Sequence, residues 1–221
     1  APSYQSEVAR LLAAKPQVIF TEADPQTDAT FLTELSQLNG GKVIPIIGTA
    51  PTYTPQWQQA VKSAIGAKNL ATKFVALQPD TPPVGPAYTV FKKALLSDKK
   101  QIPNPSQWVI DPYSMTDYGG VTIMALAVVK AHSVKSSVYG SAILAITEPG
   151  SGKTVVHSFA EGAAALAHGK AIRYVGAGGA ITFNQWHNNS TPFAAVGYDA
   201  KGGPRSAGVV SSQALASLEA K

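Results

Sequence analysis

PQVIFTEADPQTDATFLTELSQLNGGKVIPIIGT, residues 16–49, changes its hydrophobic period twice, and that change decides the fold. Val18, Ile19 and Phe20 follow Pro16 as a short run of β-branched and aromatic residues, which predicts a buried strand. From about Thr27 the apolar residues fall at helical spacing, with Phe31, Leu32, Leu35 and Leu38 on one face and Asn39-Gly40-Gly41 closing the helix. Val43 to Ile47 reads as a second strand, with Pro45 tolerable near its start. Strand, helix and strand in this order form a βαβ unit, whose crossover demands parallel strands.

The pattern extends outward. Val8, Leu11 and Leu12 fall at helical spacing within Tyr4–Lys15, and Pro16 stops that helix. Pro55 opens another, running through Trp57 and Val61 to Gly66, and Thr72–Leu77 reads as a third strand. QPDTPPVGP, residues 78–86, holds five prolines or glycines and predicts a linker or a chain crossing between lobes. Beyond it lie a helix near Ala87–Leu96, the loop IPNPSQ, a long apolar helix from about Ser114 to His132 and another near Phe159–His168. YVGAGGAITF places Gly176, Gly178 and Gly179 before a strand, AAVGY at 194–198 reads as the last strand, and SQALASLEAK as a frayed terminal helix.

Composition narrows the function classes. The 221 residues suffice for one large domain or two small ones, and 14% charged is low for a globular chain. A net charge of +5 raises nucleic acid as a partner, but the basic residues are scattered. The pairs Lys92-Lys93 and Lys99-Lys100 have no aromatic platform between them and read as a solvated helix face, so no nucleic-acid partner is expected. There are no cysteines, and no apolar run is long enough to span a membrane. The start APSYQSEV has neither an initiator Met nor a signal peptide and reads as a processed or truncated product. His132, His157, His168 and His187 include no pair at ligand spacing, so neither a metal nor a cofactor is expected. The sequons at Asn188 and Asn189 matter only in a eukaryotic secretory protein.

ITEPGSGKT, residues 146–154, imitates a phosphate-cradling loop but fails it, because the first Gly position is Thr147. The β-branched Val155 and Val156 that follow also start a helix poorly. A Gly-x-Ser-x-Gly elbow around Ser151 fails at Pro149.

In a parallel α/β sheet, ligands collect beyond the carboxyl ends of the strands. TEADPQTD, residues 21–28, and GTAPTY, residues 48–53, are the two loops so placed. Asp24, Gln26, Thr27 and Thr49 offer hydrogen bonds to a ligand, and Tyr53 and Trp57 an apolar wall. The competing reading has Asp24 or Thr27 simply capping the following helix. Glu22 and Asp24 form a carboxylate pair suited to acid–base work or to a polar rim.

Residues 16–49 resemble the ligand-binding lobe of type I periplasmic solute-binding proteins, in the branch serving branched-chain amino-acid ABC transporters. DPYSMTDYGGVTIMALAVVKA resembles that family's long Tyr-Asp-Ala helix, and VVHSFAEGAAALAHGKAIRYVGAGGAITFN resembles its Phe-Ala-Glu-Gly to Tyr-x-Gly-Ala segment, in the family's order. The resemblance implies an α/β fold with parallel-sheet, Rossmann-like lobes, here without the core of the N-terminal lobe. Residues 1–82 and 192–221 would belong to the second ligand-binding lobe, and 83–191 to a segment returning to the first. Ligand contacts carry over to Ala23, Asp24, Gln26, Thr27, Thr49 and Ala50. Some amino-acid binders of the family hold the ligand ammonium with a carboxylate where this chain has Ala50, so either Asp24 supplies the charge or the ligand lacks an ammonium. The implied function is binding of a small polar metabolite, an amino acid or a related carboxylate or aromatic acid, between two lobes by hinge closure, without catalysis. The implied partners are an ABC permease and the missing N-terminal segment, on the same protein or a separate chain, in a periplasmic or extracellular location. An enzyme using the Glu22/Asp24 loop and a ligand-sensing regulatory domain are the alternatives.

Overall fold

The computed structural model describes residues 3–189 and 191–219. Ala1, Pro2, Ala220 and Lys221 at the ends, and Ser190 within the two sequons, lie outside the described residues. The chain divides into two compact units, the first Ala1–Gln78 with Phe193–Val210, the second Pro79–Pro192 with Ser211–Lys221. In order, the first unit starts with α1 (Gln5–Ala13), β1 (Ile19–Phe20), α2 (Pro25–Leu38), β2 (Ile46–Thr49), α3 (Pro55–Ile65), α4 (Ala67–Lys73) and β3 (Phe74–Pro79). The second follows with α5 (Pro86–Ser97), α6 (Pro112–Ala131), α7 (Ser136–Thr147), β4 (Thr154–Val156), α8 (Phe159–Ala167), β5 (Ile172–Gly176) and β6 (Gly179–Ala180). The chain then returns for β7 (Phe193–Tyr198) and β8 (Pro204–Val210), and α9 (Ser212–Glu219) groups with the second unit.

In the first unit the sheet order is β1-β2-β3-β7-β8. The first three strands are parallel, pairing Ile19 with Ile46 and Ile46 with Phe74, as the βαβαβ pattern requires. Leu32 and Leu35 of α2, Val61 of α3 and Leu70 of α4 are buried with Ile46 and Phe74 in one core. Trp57 lies 4.6 Å from Phe74 and Phe74 5.8 Å from Tyr198, ring centre to ring centre, which joins β3 to α3 and β7.

Strand β1 is Ile19–Phe20 alone and only half buried, with Val18 and Phe20 exposed where a buried Val18–Phe20 strand was expected, because it stands at the edge of the sheet; other elements differ as well. Strand β2 starts at Ile46 rather than Val43, because Pro45 has no N–H to give; its carbonyl instead takes the N–H of Ile19 at 2.8 Å. Thr72 lies in α4 rather than in the third strand: Gly66, at φ 83°, ends α3 and lets a fresh helix begin at once. Strand β8 follows AAVGY, which the sequence marks as the last strand. It is an exposed edge strand paired antiparallel to β7, so it carries no inward-outward alternation to betray it.

In the second unit β4 and β5 run parallel, and Val156, Ile172 and Tyr174 pack with Ile123, Leu126 and Ile146 of α6 and α7. Helix α7 was absent from the sequence reading; its Gly and β-branched residues are weak helix formers, and burial of Ala142 and Ile146 decides the outcome. The Gly-rich stretch turns at Ser151-Gly152. Thr154 enters β4, and Lys153 Nζ donates to the carbonyls of Ala145 (2.7 Å) and Glu148 (2.8 Å), where a cation suits the C-terminal end of α7. Helix α8 is capped by Ser158, which accepts from the Glu161 N–H at 3.2 Å, while the Glu161 carboxylate reaches back one residue beyond the cap to accept from the His157 N–H at 2.7 Å. The two chain crossings meet at a hydrogen bond from Asp80 N–H to the Pro192 carbonyl, 2.8 Å.

Gly162 lets α8 sit close against α6, since a Cβ there would stand 2.6 Å from a methyl of the fully buried Leu126. Gly162→Ala gains about 1 kcal/mol in helix propensity but overpacks a site with no free volume, at about 1–3 kcal/mol. The expected outcome is a net loss of stability in urea unfolding; a stabilised variant would show that the α6–α8 contact is looser than described.

Candidate functional site

Because β1 and β2 are parallel neighbours, the loops after them leave the same edge of the sheet. Thr21 N–H donates to the Ile47 carbonyl at 2.9 Å, extending the pairing into the first loop. Across the loops, Thr49 Oγ1 donates to Glu22 Oε1 at 2.8 Å. Residues far apart in sequence, Glu22, Ala23 and Asp24 with Thr49 and Ala50, are thereby brought to one place.

Asp24 is the N-cap of α2. Its Oδ1 accepts from the N–H groups of Gln26 (3.0 Å) and Thr27 (3.1 Å), and its Oδ2 from Thr27 Oγ1 (2.6 Å). Pro25 at the first helical position fits that entry. The Thr27 hydroxyl, then the backbone donors, hold the Asp24 carboxyl below its ordinary range. Asp24 is therefore ionised at neutral pH and engaged on both oxygens. Thr27 turns its hydroxyl back onto Asp24, while the Gln26 side chain is exposed and bonds along the helix to Thr30 at 3.4 Å.

The second loop folds tightly. Ala50–Thr52 is a 3₁₀ turn, and Thr52 Oγ1 donates to the Thr49 carbonyl at 2.6 Å. A Cβ on Gly48 would fall on the Thr52 side chain and come within 3.1 Å of the Phe74 ring, so only glycine lets the turn close. Tyr53 is half-buried, stacked on Tyr198 at 5.0 Å and donating to the Gly197 carbonyl at 3.3 Å. Trp57 does not wall a ligand, contrary to the sequence reading: it is 0% exposed, and its apolar bulk belongs to the core.

Beneath the loops lies a residue that the sequence reading missed. Asp28 is 3% exposed, accepting from Thr21 Oγ1 on Oδ1 (2.7 Å) and from Trp57 Nε1 on Oδ2 (2.7 Å). Burial pushes its carboxyl up, the two hydrogen bonds pull it partly back, and the charge of Asp24 pushes it up further. The available signal was register: Asp28, Leu32 and Leu35 stand at i, i+4 and i+7 on the inward face of α2.

Chemically, the loops present carboxylate and hydroxyl acceptors suited to a hydrogen-bond donor. Neither Glu22 nor Asp24 has an ion-pair partner among the described residues, and those residues hold no cluster suited to a metal. The second unit has its own crevice at the carboxyl ends of β4 and β5. There His157, with Nδ1 3.1 Å from the Val175 carbonyl, joins Gly176–Gly179 and the Pro82–Ala87 stretch around an open cavity of about 230 Å³. In sequence those glycines read as the approach to a strand and as part of the family-like Tyr-x-Gly-Ala segment, with no cavity expected there.

No protein-family model and no curated protein matches the sequence. Among solved structures, a leucine-binding protein from Thermotoga maritima superposes with a TM-score of 0.51 at 11% identity, covering 96% of this chain and 49% of that one. A branched-chain amino-acid transporter substrate-binding protein from Streptococcus pneumoniae, solved with isoleucine, has a TM-score of 0.48 at 11% identity, with coverage of 94% and 47%. A type 1 periplasmic binding protein from Bordetella pertussis has a TM-score of 0.46 at 15% identity, with coverage of 93% and 50%. The chain thus has the α/β fold of type I periplasmic binding proteins and spans about half the length of these neighbours.

Removing the cap tests the loop assignment. Asp24→Ala is expected to lower the thermal midpoint by about 2–4 °C, with Asp24→Asn nearly neutral. Because the folded carboxyl is depressed, its stabilisation is present above the ordinary carboxylate range and is lost as pH falls through the depressed value. Equal acid sensitivity in the wild type and Asp24→Asn would contradict the cap.

Proposed function

We propose that the chain is the solute-binding part of an extracytoplasmic receptor for an ABC transporter, taking a small polar metabolite such as an amino acid. The observation that carries the reading is the Glu22–Thr49 hydrogen bond, which joins two polar loops at adjacent parallel strand ends. Solutes collect at that place in open α/β sheets, and the fold is shared with a leucine-binding protein. Ala23, Asp24, Gln26, Thr27, Thr49 and Ala50 form the rim. Within it Asp24 is committed to the helix cap, so Glu22 is the carboxylate left to receive an ammonium, beside the position where Ala50 brings none.

In this reading residues 1–82 and 192–210 belong to one lobe and 83–191, with the terminal helix α9, to another, and the solute is taken by hinge closure. A further segment, on this polypeptide or another, completes the fold, and a membrane permease accepts the solute in the periplasm or outside the cell. The similar structures are binding proteins rather than enzymes, and the ionised, doubly engaged Asp24 is poorly suited as a general acid.

Calorimetric titration with leucine, isoleucine and 4-methylpentanoate, which lacks the ammonium, tests the proposal. Saturable binding of the two amino acids is expected, weakened about 10- to 100-fold by Glu22→Gln through loss of a charged hydrogen bond, with any binding of 4-methylpentanoate unaffected. Chemical turnover of a bound solute, or full affinity in Glu22→Gln, would overturn it.

A further inference from the structure

Asp28 is a buried carboxylate with no ion-pair partner among the described residues. Its partners come from two other elements, the Thr21 hydroxyl at the end of β1 and the Trp57 indole on α3. Thr21 has a second role, because its oxygen accepts the Ala23 N–H at 3.3 Å, and its own N–H is fixed on the Ile47 carbonyl at 2.9 Å. The chain Trp57–Asp28–Thr21–Ala23 therefore runs from the core to the rim.

We infer that Asp28 is a positioning residue for the Ala23–Asp24 turn: its carboxylate fixes the Thr21 hydroxyl proton toward α2 and leaves the Thr21 oxygen free to hold Ala23. The donors dictate what a proton does. Indole N–H donates and never accepts, so Oδ2 must stay an acceptor and an added proton goes to Oδ1. Oδ1–H then donates to Thr21 Oγ1, which must swing its own proton away from Asp28. That proton must take the position left over by two accepted bonds, and a Thr21 oxygen no longer polarised by donating to a carboxylate is a weaker acceptor, so the Ala23 anchor, 3.3 Å long, weakens.

The groups facing Asp28 leave the switch to it alone. On its own helix the charge of Asp24 opposes ionisation; β1 presents the Thr21 hydroxyl and α3 the Trp57 indole; no Lys, Arg or His pairs with Asp28 among the described residues. Burial acts in the same direction as Asp24, so the proton arrives above the ordinary carboxylate range. The native state then binds a proton that the unfolded chain has lost, and stability falls as pH rises from that range through the raised value.

This role rests on the reading of the Ala23–Asp24 turn as a solute rim, and its test separates the two. In ¹⁵N-resolved spectra from about pH 3 to 8, the Trp57 indole and Ala23 amide signals are expected to titrate with one shared midpoint. Asp28→Asn, whose amide donates to Thr21 as the protonated acid does, is expected to abolish both titrations and leave Ala23 at its acid-limit position. Thr21→Val is expected to keep the Trp57 titration and lose that of Ala23, which a merely structural carboxylate would not produce. With leucine and isoleucine as probes, affinity is expected to fall with acid at the same midpoint. If the relay titrates and neither probe binds, the solute reading fails and the positioning role stands. An Ala23 signal that ignores pH, or that titrates unchanged in Thr21→Val, would overturn the inference.

Discussion

The first unit is organised around one carboxylate that has left water. Burying Asp28 without a cation is costly unless its oxygens are hydrogen-bonded, and they are, by a hydroxyl from β1 and an indole from α3. Those partners fix the seating of α2: a rotation about its axis would strand the indole N–H and the carboxylate together. Leu32 and Leu35 share that inward face, so apolar burial and the polar tie select the same orientation. The loop before α2 is then held from both sides, through Asp24 at the helix entrance and Thr21 at the strand end.

Placing the two loops together follows from topology more than from any side chain. Parallel neighbours send their carboxyl ends to one edge, and the Glu22–Thr49 bond closes the remaining gap. Parallel sheets are ordinarily covered on both faces and protected at their edges. Here β1, at one edge, leaves Phe20 64% exposed, and β4, at the edge of the other sheet, leaves Val155 52% exposed. Such edges suit the proposal that a further segment completes the fold, as does the chain's span of half the leucine-binding protein.

Much of the fold was legible because strand and helix periods differ sharply in residues 16–77 and the connections are marked by Pro and Gly. What escaped detection did so for physical reasons. Helix α4 follows α3 with only Gly66 between them, β8 has exposed side chains along nearly its whole length, and α7 is helical by burial rather than by propensity. At the site, the cap and the contact readings of Asp24 were both visible in sequence, and geometry favours the cap. Asp28 was hidden by its type, since a carboxylate on an apolar stripe reads as surface until its donors are known. Trp57 was misjudged for the reverse reason: a large aromatic after a site loop suits a ligand wall as well as a core, and its indole partner decided for the core.

The central claim is that residues 21–28 and 48–53 form one solute-binding surface. Hydrogen–deuterium exchange with and without saturating leucine, followed peptide by peptide, tests it most directly. The account predicts slowed exchange in both stretches together, with α1 and β8 unchanged. Protection confined to one stretch, or appearing at neither while leucine demonstrably binds, would contradict it.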